Sequence, residues 1–357
     1  MNSKQYKQLA ENPIFFERNR VFRVYQGGKL FHDFFGDEDK DGNLPEEWIA
    51  SDVKALNQNS SDPHEGISRI RGTDVYLDEL IKAERARLLG DREDFGILVK
   101  ALDSAIRLPI QAHPDKAFSR KYFSSDYGKA ESWLILATRE NAKIYFGFKN
   151  EVTEQEFLSA IERSETDKKA MEELLNEIPV HKGDVFLVPA KVVHAIGYGC
   201  LILEIQEPTD FTVQPEAWCG DYHLSDFEKY LGLSQADALK CFDYTIYGDK
   251  AEQLGRKHPR IVKQTSAVTS EVLIGAEDTP CFSVHRHRIT KGNMLLEQAP
   301  CVYIVTEGEG CIKKGDYKQN LKKGDYFFLP FAAKGMCHVE TEQELELVEC
   351  LPPKKEG

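Results

Sequence analysis

Paired cysteines are missing from this sequence. It contains eight cysteines, but no two of them form a CxxC pair and none precedes residue 200. Cysteines that are scattered singly are typical of reduced, buried thiols, whereas disulfide frameworks and thiolate zinc sites use characteristic spacings. The sequence therefore predicts free structural thiols and argues against a cysteine-based metal centre.

Long apolar runs and an excess of positive charge are missing as well. The most apolar long window, 186–205, contains Lys191, His194 and Glu204, which would make a membrane span costly. The N-terminal stretch MNSKQYKQLAENP lacks the apolar core of a secretory signal, so we expect a cytoplasmic protein. With 59 acidic and 46 basic side chains and a net charge of −13, neither nucleic acid nor an anionic membrane is an expected partner.

Strand patterns dominate what is present. Runs of β-branched and aromatic residues bounded by turn residues predict a mostly β protein. Apolar residues at helical spacing between Thr153 and Ile178, with a capping box at Thr153 and Glu156, predict a helical hairpin within it. Ser225 and Ser234 are expected to begin two further short helices. The clearest predicted strands are 133–137, 144–148, 185–189, 201–205, 302–305 and 326–329.

One segment of the sequence is repeated. KGDVFLVPAKVVH (182–194) and KGDYFFLPFAAKG (323–335) share a Gly-Asp turn, an apolar strand and a proline that ends the strand. The first copy ends on His194 and the second on Gly335, which indicates duplicated β-barrels of which only the first carries chemistry. We predict a metal-binding catalytic domain over 1–257 and a second, degenerate domain over 258–357 without a full metal site. The first domain includes a helical insertion at about 151–180 and a helical connector at about 224–242.

Four polar residues in the first domain form a candidate metal site. Gln111 and His113 are two residues apart in an extended segment, so their side chains point to the same side. Glu131 begins a predicted strand, and His194 follows the helical insertion. Two imidazoles, a carboxylate and an amide oxygen suit zinc or another divalent first-row metal, with positions left for water or a sugar oxygen.

The sequence around these residues resembles a known family. IQAHPDK (110–116), GKAESWLIL (128–136) and GDVFLVPAKVVHAIGYGCLILEIQEPTDFT (183–212) resemble the type I mannose-6-phosphate isomerases, which are cupins. The resemblance extends over most of the chain and implies two cupin-type β jelly-roll barrels with helical insertions. It implies one zinc ion held by Gln111, His113, Glu131 and His194.

The resemblance also implies a reaction and its residues. A proton would move between C1 and C2 of mannose 6-phosphate and fructose 6-phosphate through a cis-enediol, with a metal positioning the sugar oxygens. Glu204 matches the family's proposed base. Lys129, two residues before Glu131 and so on the same strand face, and Asp210 are expected to contact the substrate, a sugar or sugar phosphate. Lys129 and Gln214 are predicted to be catalytic together with Glu204, and the oligomeric state stays open.

Two positions depart from the family. Pro109 stands where a serine is common, and Gln214 stands where an arginine usually stabilises the developing enediolate. Loss of one positioned cation costs roughly 3 kcal/mol of transition-state stabilisation, on the scale of a lost oxyanion donor. Unless Lys129, Arg120 or Arg139 compensates, a neutral sugar, an altered isomerase or a non-catalytic carbohydrate-binding cupin is a credible alternative, and an Fe(II) oxygenase is a third.

The second barrel carries one further motif, His285-x-His287. It falls where a cupin metal motif can occur, so a second metal is conceivable. Because the corresponding position at Gly335 offers no ligand, structural or surface histidines are the favoured interpretation.

Overall fold

The computed structural model describes residues 3–58 and 60–354. The helices are α1 (Ser3–Leu9), α2 (Phe31–Phe35), α3 (Leu77–Leu89), α4 (Lys116–Phe123), α5 (Glu154–Arg163), α6 (Asp226–Tyr230), α7 (Gln235–Ala238) and α8 (Asp249–Gly255), with 3-10 turns at Glu172–Leu174, Leu239–Cys241 and Phe331–Ala333. The first ten strands are β1 (Ile14–Phe15), β2 (Arg20–Val21), β3 (Glu46–Ile49), β4 (Leu98–Asp103), β5 (Glu131–Thr138), β6 (Lys143–Phe148), β7 (Leu175–Pro179), β8 (Val185–Val188), β9 (His194–Ile196) and β10 (Cys200–Gln206). The remaining strands are β11 (Trp218–Cys219), β12 (Tyr222–His223), β13 (Arg256–Lys257), β14 (Arg260–Gln264), β15 (Val268–Ile274), β16 (Ser283–Leu295), β17 (Cys301–Lys314), β18 (Tyr317–Lys322), β19 (Tyr326–Leu329) and β20 (His338–Leu351). The prediction of a mostly β protein is confirmed.

Two large antiparallel sheets organise these strands. The first has seven strands in the order β13-β8-β5-β10-β4-β3-β2, and a smaller sheet, β7-β6-β9, carries the strands from the middle of the chain. The second has the order β1-β19-β17-β20-β16-β15-β14, with β18 paired to β17. Strand β1 therefore joins the N-terminus to a sheet built otherwise from the last hundred residues. The division into units 1–257 and 258–357 stays a prediction.

The repeated segment has the same local structure in both copies. Gly183 and Gly324 both have positive φ, 95° and 83°, a backbone region that glycine enters without a steric penalty. The first turn leads into β8, which pairs with β5, and the second leads into β19, which pairs with β17. In each sheet the strand after the turn is second from the edge. The two copies therefore occupy matching places in the two sheets.

The predicted helical hairpin is only half correct. Helix α5 begins at the capping box of Thr153 and Glu156, in which the side chain of each bonds the backbone N–H of the other. The second expected helix is replaced by strand β7, in which Ile178 pairs with Ile144 of β6. Hydrogen bonding to a neighbouring strand outweighs the local helical spacing, because tertiary packing overrides an intrinsic preference. Helices α6 and α7 begin at Ser225 and Ser234 as expected.

The thiol prediction is also confirmed. All eight cysteines are free and buried, and burial raises the pKa of Cys200 to about 12, so its thiol stays protonated at neutral pH. Among the described residues, no helix is both long and apolar enough to cross a bilayer.

Candidate metal centre and sugar site

The site lies between the central strands of the seven-stranded sheet and the smaller sheet. Strand β10 pairs with both β4 and β5, so that Glu204 lies opposite Lys100 and Gln206 lies opposite Glu131. Strand β9 in the smaller sheet begins with His194, whose backbone exchanges hydrogen bonds with Gln111 in both directions. Residues far apart in sequence are thereby placed around one point.

Three of the four predicted ligands contact one another. The Nε2 atom of His113 lies 3.1 Å from Oε2 of Glu131, and Nε2 of His194 lies 3.4 Å from Oε1 of the same carboxylate. All three residues are at most 1% exposed. Ligand atoms around a tetrahedral zinc ion lie roughly 3.3–3.6 Å apart, so the three side chains are close enough to share one cation.

The two imidazoles are oriented for metal binding by the backbone. His113 Nδ1 lies 3.0 Å from the carbonyl oxygen of Phe211, and His194 Nδ1 lies 2.8 Å from that of Val192. A carbonyl can only accept, so each ring donates its Nδ1 proton and directs an Nε2 lone pair toward Glu131. Burial, with the charge of Lys129 second, lowers the pKa of His113 to about 3. Burial also lowers the pKa of His194, so both rings are neutral at physiological pH.

The buried polar atoms fit a divalent cation. His194 Nε2 is buried without a hydrogen-bond partner, and such a group is costly unless something satisfies it. Glu131 Oε2 also has no hydrogen bond, although the ammonium of Lys129 lies close to it. Neutral imidazole and carboxylate are the donor types of catalytic zinc sites. Gln111 is 8% exposed and lines the cavity beside Glu131, and its backbone is hydrogen-bonded to that of His194.

Lys129 contacts the same atoms. Its Nζ lies 2.9 Å from Nε2 of His113 and 3.2 Å from Oε2 of Glu131. Burial alone would raise the pKa of Glu131, but the charge of Lys129, with a smaller contribution from the neighbouring imidazole of His113, outweighs burial and holds that pKa well below its usual value. The carboxylate is therefore ionised and available as a ligand.

The pKa of Glu204 is shifted in the opposite direction from that of Glu131. Burial, followed by the negative charge of Glu131, raises its pKa to about 7, although Lys100 and Lys129 act in the opposite direction. A carboxylate whose pKa lies near neutrality can both accept and return a proton. This is the property required of the predicted base.

The structure adds a residue that the sequence prediction missed, Lys100. Its side chain is almost fully buried, and Nζ lies 3.7 Å from Glu204, 3.8 Å from Asp210 and 3.9 Å from Glu46. The available sequence signal was a lysine inside an apolar strand. Because buried lysines are almost always paired, such a residue indicates acidic partners nearby. The acidic partners come from β3, β10 and a loop, so spacing alone did not reveal them.

Asp210 was predicted only as a substrate contact, but both of its carboxylate oxygens are already hydrogen-bonded within the protein. Both of its carboxylate oxygens accept from Nη2 of Arg23 at 3.1 Å, and one also accepts from the backbone N–H of Leu56. Arg23 also donates to Glu46 at 3.0 Å. Asp210 lines the cavity, and its role as a substrate contact stays a prediction.

An open cavity of about 1000 Å³ is lined by Glu131, Lys129, Lys100, Glu204 and Asp210, and its volume is at the upper end of the usual range for ligand pockets. It places Gln214 and Pro109 beside the site, whereas Arg120 and Arg139 form ion pairs with Asp126 and Asp41 and are not among its lining residues. Two other arginines, Arg20 and Arg23, which the sequence did not suggest, line the cavity instead. The cavity is lined in part by Arg20, Arg23, Lys100, Pro109, Gln111, Lys129, Glu131, Glu204, Asp210 and Gln214.

No family model matches the chain, but individual proteins do. It is 32% identical over 246 residues to a mannose-6-phosphate isomerase of Bacillus subtilis, covering 69% of this chain and 71% of that protein. It is 28% identical over 349 residues to a mannose-6-phosphate isomerase of Streptococcus mutans, covering 95% and 98%.

Solved structures share the fold. A mannose 6-phosphate isomerase crystal structure from Bacillus subtilis superposes with a TM-score of 0.73 at 24% identity, covering 94% of this chain and 99% of that one. A mannose 6-phosphate isomerase bound with zinc and yttrium superposes with a TM-score of 0.69 at 16% identity, covering 96% and 100%.

Proposed function

Since the chain belongs to the mannose-6-phosphate isomerase family, we propose that it interconverts mannose 6-phosphate and fructose 6-phosphate at the cavity described above. The observation that carries this proposal is the convergence of His113 and His194 on Glu131, with the two Nε2 atoms 3.1 Å and 3.4 Å from its carboxylate oxygens, beside a second carboxylate of near-neutral pKa. Similarity to named isomerases favours turnover over the alternative of a non-catalytic sugar-binding protein.

We propose that Gln111, His113, Glu131 and His194 hold one divalent cation, with zinc as the best match. When bound, the cation orients and polarises the hydroxyl and carbonyl oxygens of the sugar. All four residues are buried, the two imidazoles are held by backbone carbonyls, and Oε1 of Glu131 accepts a hydrogen bond from Nε1 of Trp133 at 3.1 Å. Preorganisation of this kind lowers the cost of assembling the site.

Glu204 is the proposed base. Its carboxylate would take the proton from C2 of the aldose, leaving a cis-enediolate whose hydroxyl proton moves from O2 to O1. The carboxylate would then return its proton to C1 to give the ketose. The reverse reaction uses the same group in the opposite order. Lys100, 3.7 Å away, stabilises the ionised form that must accept the proton.

Three further residues are proposed to contact the sugar. Lys129 reaches the metal ligands and can donate to oxygens that acquire negative charge in the enediolate. Asp210 lies in the same cavity and can accept from a sugar hydroxyl. Gln214 can donate a hydrogen bond there but brings no charge. We assign this chemistry to the proposed unit 1–257, and the proposed unit 258–357 stays outside the sugar site.

A coupled assay on metal-analysed protein tests the proposal. The full chain is loaded with zinc and assayed separately with mannose 6-phosphate, fructose 6-phosphate, mannose and fructose. We expect turnover of the phosphorylated pair and much less with the neutral sugars. The Glu204→Gln variant, loaded to the same zinc content, separates loss of the base from loss of metal. Zinc-loaded protein that converts none of these sugars would falsify the proposal.

A further inference from the structure

A second group of possible metal ligands lies in the other large sheet, away from the sugar cavity. His285 and His287 on β16 meet Glu349 on the neighbouring strand β20. His285 Nδ1 lies 2.9 Å and His287 Nε2 lies 3.4 Å from the same atom, Oε2 of Glu349. Each residue offers a ligand atom within 4.8 Å of the others. The group repeats the two-imidazole, one-carboxylate composition of the first site.

Strand pairing shows where this group lies relative to the first site. Tyr303 pairs with both Glu349 and Phe327, as Trp133 pairs with both Glu204 and Phe186 in the first sheet. Glu349 therefore corresponds to Glu204.

The same correspondence extends to the neighbouring strand. His285 lies opposite Glu349, as Lys100 lies opposite Glu204. The His285–His287–Glu349 group is thus not a remnant of the predicted metal ligands. It occupies the place that the first sheet gives to its proposed base and buried lysine.

Hydrogen bonds with Tyr303 and Ser270 fix the orientations of the Glu349 and His287 side chains. Tyr303 donates its hydroxyl proton to Oε1 of Glu349, which leaves Oε2 facing the two imidazoles. Ser270 Oγ lies 2.9 Å from Nδ1 of His287, so the Nε2 atom of that ring is the one that faces the carboxylate. Outer hydrogen bonds that select the ligand atom in this way accompany most histidine and carboxylate metal sites.

One of the two separations matches a small divalent cation directly, and the other, the 2.9 Å between His285 and Glu349, is a hydrogen-bond distance that would have to open by about 0.4 Å to admit an ion. With metal–ligand bonds of roughly 2.0–2.2 Å, ligand atoms around tetrahedral zinc lie roughly 3.3–3.6 Å apart, and the His287–Glu349 separation of 3.4 Å falls within that range. The His285 side chain is 26% exposed, so a hydrated ion can reach the group from solvent. Glu349, at 4% side-chain exposure, supplies the buried charge that would hold it.

We propose that His285, His287 and Glu349 form a second site for a divalent first-row cation, with zinc as the best match and water completing the coordination. The ion would link β16 to β20, two long neighbouring strands of this sheet, and so stabilise it. The sequence disfavoured this site because Gly335 offers no ligand. Glu349 supplies the missing carboxylate, and it lies on β20 rather than in the repeated segment.

Zinc stoichiometry of the full chain tests the proposal. After chelator treatment and dialysis, the protein is titrated with zinc alone, and bound metal is measured by equilibrium dialysis with elemental analysis. We expect two zinc ions per chain in the unsubstituted protein and one in the His285→Gln/His287→Gln variant. The latter should keep its isomerase activity, because neither residue lies in the sugar cavity.

Two comparison variants make the result specific. His113→Gln/His194→Gln should also bind one zinc ion, now at the second site. His223→Gln removes an exposed imidazole that pairs with Glu165 at 2.8 Å but has no second histidine, and it should still bind two. Cobalt bound to the His113→Gln/His194→Gln variant should give visible bands typical of four-coordinate cobalt.

The proposal is overturned by either of two results. One is a single zinc ion per folded chain in the unsubstituted protein, even at millimolar zinc. The other is a His285→Gln/His287→Gln variant that is folded by circular dichroism and still binds two. If the His113→Gln/His194→Gln variant keeps one ion while its activity is lost, the second site stands whatever the outcome for the isomerase.

Discussion

Oε1 of Glu204 lies 3.7 Å from Nζ of Lys100, and both side chains are almost fully buried. The two residues lie directly opposite each other on β10 and β4, so their distance is fixed by the sheet. Lys100 stabilises the ionised form of Glu204, while burial and the charge of Glu131 favour the protonated form. The protonation of the proposed base is therefore set by a balance that one substitution can shift.

Replacing Lys100 by methionine should move the pH dependence of the reaction. Without the ammonium, the pKa of Glu204 rises further, because the larger of the two favourable charges is gone and only Lys129 still opposes burial and the charge of Glu131. We expect the acid limb of the kcat/KM profile to shift upward by about one pH unit or more, with part of the rate recovered at high pH. The profile is measured from pH 5 to 10 with zinc saturating.

Lys116→Met is the matched control for this substitution. Lys116 is half-exposed and pairs with Glu207 at 3.5 Å, outside the cavity lining, and its replacement should leave the limb in place. An unchanged limb in Lys100→Met would mean that Glu204 is not the group that titrates.

Glu204→Gln should change how stability depends on pH in metal-free protein. The pKa of Glu204 is raised from 4.5 in the unfolded chain to about 7 in the folded one, so the folded state binds the proton more tightly. This contribution stabilises fully below pH 4.5 and is lost as the pH rises through 7, by roughly 3 kcal/mol. Glutamine cannot titrate, so the variant should gain stability relative to the unsubstituted protein over this interval.

Urea unfolding in the presence of chelator, at pH 4.5 and pH 8, measures that difference. Contributions from all other groups are common to both proteins and cancel to first order. A difference in unfolding free energy that is the same at both pH values would contradict a raised pKa for Glu204.

Alanine at Gln111, His113 or His194 should lower both bound metal and turnover. Loss of an outer hydrogen-bond partner of a metal ligand costs 10–100-fold in affinity, and loss of a ligand itself should cost about 100-fold or more for the two histidines. Gln111 should have the smallest effect because an amide is a weak ligand. Zinc dissociation constants are measured by competition with a chromophoric chelator in a background lacking His285 and His287.

Lys129→Met should bind zinc more tightly than the unsubstituted protein while turning over more slowly. The ammonium lies 3.2 Å from Glu131 Oε2, and a divalent cation at the same carboxylate would be repelled by it. We expect at least about a tenfold gain in zinc affinity. Lys143→Met is the control, because it removes a lysine that pairs with Glu177 outside the cavity, and it should leave zinc affinity unchanged. If Lys129→Met binds zinc equally or more weakly than the unsubstituted protein, the proposed repulsion is contradicted.

The sequence predicted many of the strands and the convergence of His113, Glu131 and His194, because both depend on local patterns or on short motifs. His113 and Glu131 lie within twenty residues of each other in segments that resemble a known family. Lys100 and the His285–Glu349 contact were not predicted, since they depend on which strands become neighbours. Strand β7 was mistaken for a helix because its apolar spacing fits both structures, and only pairing with β6 decides between them.

Gln214→Arg should raise isomerase activity on fructose 6-phosphate. Gln214 lines the cavity beside the proposed base, where negative charge develops on the sugar oxygens during proton transfer. A guanidinium there adds a charged donor to a site whose described arginines, Arg20 and Arg23, are already paired with carboxylates. A single positioned donor is worth up to roughly 3 kcal/mol, so we expect an increase in kcat of about tenfold or more with little change in KM. Gln214→Met is the matched control without charge or donor, and it should lower kcat. If arginine leaves the rate unchanged or lower, stabilisation of the enediolate in this chain comes from Lys129 and not from this position.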